Sequence, residues 1–197
     1  MAKTKWITAI GSTALDILFY TPEGSVIKNS KNRLSPKLLA FEHAAKIHGS
    51  EMHFMGGGSA ANAATTFARM GLQPALLTSV GADSIGDECL SRLRNEQIAT
   101  TLVQRIESSR TNTSFIVNRL PKHDHVIFVY HGAADYLKCD DATLRRIATP
   151  WIYLTALHGT WRSNLKNIYN RVRQRSLKIV WNPGIEQLAA GSKVLRP

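Results

Sequence analysis

Cysteine is nearly absent from this chain: Cys89 and Cys139 are the only two in 197 residues, and they stand far apart with no CxxC pair. That excludes a disulfide framework and a thiolate metal site, and it agrees with a reducing compartment. Long apolar runs are missing too. The stretch after Lys3 and Lys5 is interrupted by Asp16 and no cleavage site follows, so neither a membrane span nor a signal peptide is expected, and a cytoplasmic location is. Internal repeats and low-complexity segments are absent. Acidic residues are scarce, 14 Asp and Glu against 25 Lys and Arg, for a net charge of +11.

The positive excess is regional: residues 101–197 carry 15 basic against 6 acidic residues, and the first hundred carry 10 against 8. Much of it lies in Arg162, Lys166, Arg171, Arg173, Arg175 and Lys178, around Leu165, Ile168, Tyr169 and Val172, which recur at helical spacing. A solvated helix face over a buried stripe explains this pattern. A polyanion patch is the rival, and nucleic acid is not the expected partner.

What is present in quantity is glycine, concentrated in GGGSAAN at Gly56–Asn62. Glycines between an apolar strand and a helix can turn sharply and let a ligand approach backbone amides at the positive end of the helix dipole. Asn62, about one turn into that helix, offers a donor and an acceptor. The loop has no lysine or arginine, which suits sugar hydroxyls at least as well as a phosphate.

Periodicity predicts buried strands over Trp6–Ile10, Ala75–Val80, Trp151–Leu157 and Lys178–Trp181. It predicts helices over Ser59–Met70, Ser84–Glu96, Asp140–Ile147 and Ser163–Gln174. This alternation implies a parallel sheet with helices on its faces, whose ligands lie beyond the carboxyl ends of strands. Thr113–Arg119 and His125–Tyr130, separated by Leu120–Asp124, read as a hairpin. With Ser25–Asn29 and Lys46–Phe54 they make a small projecting β-sheet. His123 and His125 have HxH spacing but no further ligand cluster, so a solvated loop is expected. His43, His48, His53, His131 and His158 show no ligand spacing.

Gly57, Gly58, Ala60, Asn62, Ala64, Gly71 and Gly81 together resemble the first signature of the PfkB or ribokinase family of carbohydrate and nucleoside kinases. WITAIGSTALDILF resembles that family's first strand, and GADSIGDECLSRLRNEQIATTLV its stretch after the signature. TNTSFIVNR with HVIFVYHGAADYL resembles its lid hairpin, and WNPG its asparagine-proline turn. The resemblance covers the whole chain. It implies an α/β, Rossmann-type ribokinase-like sheet with helices on both faces plus a β-sheet lid, formed by segments 20–54 and 111–131, that pairs with a second subunit. It further implies phosphorylation of a sugar or nucleoside hydroxyl with ATP and Mg2+. Asp16 would orient the hydroxyls, Gly57 and Gly58 would allow close backbone contact, Asn62 would hydrogen-bond the acceptor, and Asn182 would lie on the nucleotide side.

The family's late Gly-Ala-Gly-Asp motif, source of the catalytic base and the anion-stabilising amides, has no counterpart here. Gly132–Asp135 is a near match in letters, but it follows the lid hairpin and reads as a turn or helix cap. The expectation is therefore an incomplete kinase domain over residues 1–197, its C-terminal part missing and inactive alone. Within the proposed site, Ala14 stands where ribokinases have an asparagine, Ser59 where they have a lysine, and Leu157–His158 near a glutamate. Ribose, another sugar, a sugar phosphate and a nucleoside all stay open as acceptors. Two further readings are a non-catalytic sugar-sensing or polyanion-binding protein and an NAD-dependent oxidoreductase. GGGSAA fits a permissive G-x-G-x-x-A fingerprint, yet it comes late in the chain and the first acid beyond it is Asp83.

Overall fold

A computed structural model describes residues 6–32, 36–122 and 124–191; Lys3, Lys5 and His123 lie outside them. The chain begins with β1 (Ile7–Ile10), β2 (Ala14–Thr21), β3 (Ser25–Lys28), β4 (Lys37–Ala40) and β5 (Glu51–Gly57). There follow α1 (Ser59–Arg69), β6 (Pro74–Leu77), β7 (Ser79–Gly81), α2 (Ser84–Asn95), β8 (Gln104–Ile106), β9 (Thr113–Arg119) and β10 (Asp124–Tyr130). After a 3₁₀ turn (Gly132–Tyr136) come α3 (Asp141–Arg145), β11 (Trp151–Leu154), α4 (Trp161–Arg175), β12 (Lys178–Trp181) and α5 (Ile185–Ala189). No helix among the described residues is long and apolar enough to cross a membrane. The chain divides into two compact units, one of residues 1–15, 56–112 and 131–197, the other of residues 16–55 and 113–130.

The first unit is organised by an all-parallel sheet in the order β12-β11-β1-β6. Successive strand residues point to opposite faces. Ala9 and Leu76 therefore join Ala60, Ala61 and Ala64 of α1 and Leu90 and Leu93 of α2. Ile10, Leu77, Ile152 and Leu154 join Leu144 of α3 and Leu165 and Ile168 of α4. Helices thus cover both faces, the arrangement that buried parallel strands require. Alanines let α1 approach closely, with Ala60 and Ala64 fully buried, and Phe67 meets Tyr153 edge-on at 5.2 Å.

Helix ends follow local chemistry. At the end of α1, Gly71 (φ +85°) donates to the Ala68 carbonyl and Leu72 to that of Phe67, the Schellman pattern that favours glycine. Asp83 caps α2: its Oδ1 accepts from Gly86 N at 2.8 Å and from Thr111 Oγ1 at 2.6 Å, and its Oδ2 from Thr111 N at 2.9 Å. Burial opposes ionisation of Asp83, yet the bonds from Thr111 and Gly86 outweigh it and hold its pKa below the ordinary carboxylate value.

Several expected boundaries are corrected. Ala75–Val80 is two strands in two sheets: Leu77 is the last residue of β6 to pair with β1, the Thr78 carbonyl accepts from Gln104 N, and β7 then pairs with β8. The apolar run hides that change of partner. The strand expected over Trp151–Leu157 ends at Leu154, although Thr155 N still donates to Ile10 O at 2.9 Å. Helix α4 starts at Trp161, whose buried ring packs in the core below it. Arg162, Lys166, Arg173 and Arg175 are exposed as expected of a solvated face, but Arg171 is buried.

In the second unit the sheet order is β10-β9-β2-β5, with β3 and β4 paired antiparallel beside it in sequence. The hairpin forms as expected, Arg119 opposite Asp124 and Thr113 opposite Tyr130. The strand expected over Lys46–Phe54 is shifted to Glu51–Gly57, and the segment read as one first strand is broken at Gly11–Thr13 into β1 and β2. Among the described residues this unit has no helix.

Candidate acceptor site

The glycine loop joins the end of β5 at Gly57 to the start of α1 at Ser59. Gly58 between them has φ +91°, and a Cβ there would lie 2.6 Å from Ser12 O and Thr13 Cα. Glycine is thus demanded by the chain's own backbone. The first amides of α1 are also taken: Ser12 Oγ accepts from Ser59 N at 3.1 Å, and Ser12 O accepts from Ala60 N at 3.1 Å and Ala61 N at 3.2 Å. The expectation that these amides face a ligand is corrected, since Ser12 satisfies donors that a helix start leaves open.

A chain of hydroxyls fixes the loop further. Ser59 Oγ lies 3.2 Å from Ser12 Oγ and donates to Thr155 Oγ1 at 2.8 Å, and Thr155 Oγ1 donates to Ile10 O at 3.1 Å. This ties α1 to the carboxyl ends of β1 and β11. Ser59 therefore has a structural role at the position where ribokinases have lysine. Asn62 is exposed on α1, with its amide N–H and carbonyl engaged by Gly58 O and Thr66 Oγ1, while Gly57 is buried. Thr13, which flanks Gly58, buries an Oγ1 that has no hydrogen-bond partner among the described residues.

Gly57, Gly58 and Asn62 thus share one strand-to-helix junction. Asp16 is half-buried within β2 and belongs to the second unit. Asn182 follows β12 as an exposed residue whose backbone N donates to Leu154 O at 2.8 Å. After it, Gly184 N donates to Gln187 Oε1 and Gln187 Nε2 donates to Leu157 O, at 2.9 and 2.8 Å. Gln187 is almost fully buried, and no sequence pattern singled it out.

The near match at Gly132–Asp135 is the 3₁₀ turn. Its Ala133 N donates to Arg110 O and its Ala134 N to His131 O, so neither amide is free to hold a transferring phosphate. Asn182 alone does not make a nucleotide site, so the described residues do not fit ATP with Mg2+. Cys139 is buried and its thiol is pushed up to about 12, by burial first and by Asp140 second, which keeps it unreactive at neutral pH. A group that sequence spacing missed is His131, Asp135 and His158, whose ligand atoms lie within 4.8 Å of one another. His131 and His158 are 27 residues apart, too far for any linear motif to reveal.

Comparison with known proteins agrees with this architecture. The chain is 29% identical over 140 residues to the ribokinase of Mus musculus, covering 63% of this chain and 42% of that protein. It is 27% identical over 138 residues to a nucleoside kinase of Methanothermobacter thermautotrophicus, 70% of this chain and 39% of that one. The matches thus span about two fifths of the length of these relatives. Among solved structures, Arabidopsis thaliana ribokinase in complex with ribose and ATP superposes with a TM-score of 0.73 at 14% identity, over 89% of this chain and 52% of that one. Burkholderia thailandensis nucleoside kinase in complex with inosine gives 0.72 at 14% identity, over 96% and 55%. Both show a shared ribokinase-like fold. The model of the pfkB family carbohydrate kinases matches residues 24–151, well over half of the sequence, and the chain belongs to that family.

Proposed function

We propose that this chain supplies the acceptor side of an ATP- and Mg2+-dependent kinase that phosphorylates a hydroxyl of a sugar or nucleoside. One observation carries the reading. Gly58, Ala60, Ala64, Gly71 and Gly81 of the family signature are each accounted for by backbone approach, burial or helix termination, whereas the exposed side chain of Asn62 has no such architectural reason among the described residues. In this reading Asn62 hydrogen-bonds the acceptor, Gly57 lets it approach the backbone, and Gly58 keeps the loop in shape. Asp16 orients the hydroxyls through charge-assisted hydrogen bonds. Catalysis would then rest on positioning and on neutralising the phosphoryl charge.

The catalytic base, the anion-stabilising amides and most of the nucleotide site are proposed to lie outside these 197 residues, with Asn182 at the edge of the donor side. The Ala133 and Ala134 amides support that division, because both are already bonded within the chain, to Arg110 O and His131 O. The second unit is proposed to serve as a lid that excludes competing water and pairs with a second subunit. Support comes from β10, at one end of its sheet, where Ile127, Phe128, Val129 and Tyr130 are all exposed.

The test is binding and turnover by the 197-residue chain. Ribose, fructose, inosine and ATP are titrated separately while ligand-observed magnetic resonance follows binding, and acceptor-dependent ADP release is assayed with Mg2+. The expected result is weak binding of at least one acceptor, much weaker binding of ATP and no turnover. Tight ATP binding without acceptor binding would reverse the assignment, and robust turnover would place catalysis within the chain.

A further inference from the structure

The group formed by His131, Asp135 and His158 has no role in the acceptor or nucleotide reading, although His158 stands near a position where ribokinases have a glutamate, and its backbone is held in place from several sides. Ala133 N donates to Arg110 O at 2.8 Å, and Ala133 O accepts from Ser79 Oγ at 2.7 Å, which fixes the turn that carries His131 and Asp135. His158 comes from the loop after β11. That loop passes so close to the turn that any Cβ on Gly159 (φ +56°) would collide with the Asp135 carbonyl. On the other side, Leu157 O accepts from the buried Gln187.

The side chains then meet. The imidazoles of His131 and His158 stack with centroids 4.1 Å apart at 31°. His131 Nδ1 is buried with no hydrogen-bond partner among the described residues. Each of the three side chains presents one ligand atom within 4.8 Å of the others. A simple packed histidine pair would account for the stacking but would leave that buried nitrogen unsatisfied.

We propose that His131, Asp135 and His158 bind one divalent transition-metal ion of the zinc class, with a coordination position left over for water or an anionic ligand. Two imidazoles and a carboxylate are the donor set such ions favour, and Mg2+ does not. Tetrahedral ligands at zinc-nitrogen distance stand about 3.3 Å apart, so the ion would draw the three ligand atoms together from their present spacing of within 4.8 Å and turn the stacked rings toward it. The donor set differs from the oxygen ligands that suit the Mg2+ of phosphoryl transfer.

The experiment uses the 197-residue chain freed of metal by chelator and dialysis. Zn2+ is titrated against a chromophoric indicator, and Co2+ is titrated while its visible d–d absorption is recorded. One equivalent should bind with the absorption of a nitrogen-ligated, low-coordinate Co2+. His131→Asn, His158→Asn and Asp135→Asn should each weaken binding by roughly tenfold or more, while His48→Asn and His53→Asn, on the second unit, should not. Asp135 is exposed, so Asp135→Asn reads the site even where a histidine variant fails to fold. Absence of binding by the wild type, wild-type affinity in any folded variant of the three, or loss of binding in either control would overturn the proposal.

Discussion

Strands β6 and β10 are comparably apolar and buried to opposite extents. All four residues of β6 are buried, whereas Val126–Tyr130 of β10 are exposed, Phe128 by 60%. The difference lies in what covers each sheet. Helices from the same unit fill both faces around β6, while among the described residues the unit that holds β10 has no helix to lay on its sheet. An apolar strand is therefore not buried by its composition alone: burial comes from helices that, among the described residues, only one unit possesses.

The sharpest test of this contrast sits at the glycine loop of the first unit. Gly58→Val would force a branched side chain at φ +91° into the backbone of Ser12–Ala14, with an expected loss on the order of 3 kcal/mol or more in urea unfolding. Gly56→Ala, whose Cβ would meet nothing nearer than Arg92 Cδ at 3.8 Å, should change stability by less than about 0.5 kcal/mol. Equal midpoints for the two variants would remove the close approach from the explanation.

A matched pair of truncations comes next. Ile152→Ala empties a fully buried site and should cost about 2–4 kcal/mol. Ile127→Ala removes a side chain that is half exposed and should cost under about 1 kcal/mol. Similar losses at the two positions would show that β10 is covered in solution.

A smaller effect is expected at Asp83. Asp83→Ala loses the α2 cap and the bonds from Thr111, about 2 kcal/mol at neutral pH. Because the folded-state pKa is lowered, this contribution is complete above the unfolded value of about 4 and fades as pH falls through the lower folded value. Chemical denaturation at pH 7 and pH 3 should show the gap between wild type and variant narrowing in acid. A gap that widens would mean that the carboxylate is not the stabilising form.

The same contrast explains what could be read from the sequence. Alternating strands and helices of the first unit were legible because each element carries its own periodicity, and α1, α2 and β12 fall within a residue of expectation. The split at Thr78 was not, since the partner change is a tertiary event inside an unbroken apolar run. Neither were β4, with its Lys-Leu-Leu-Ala sequence, nor the three-residue β8, whose pairing depends on strands elsewhere. At the candidate site, the spacing of Gly57, Gly58 and Asn62 was visible because they are near neighbours on one junction. Arg171 on a basic helix face and the meeting of His131 with His158 depend on packing that no spacing reports.

The most direct measurement of the proposed acceptor role compares wild type with Asp16→Ala. Asp16 is half-buried in β2 and outside the packed cores of the first unit, so its removal should leave the thermal unfolding midpoint nearly unchanged. Acceptor affinity, measured with whichever of ribose, fructose or inosine the wild type binds, should fall by roughly 30- to 150-fold, the equivalent of about 2–3 kcal/mol for a charge-assisted hydrogen bond. Unchanged affinity in a folded Asp16→Ala variant would contradict the assignment and remove Asp16 from the acceptor site.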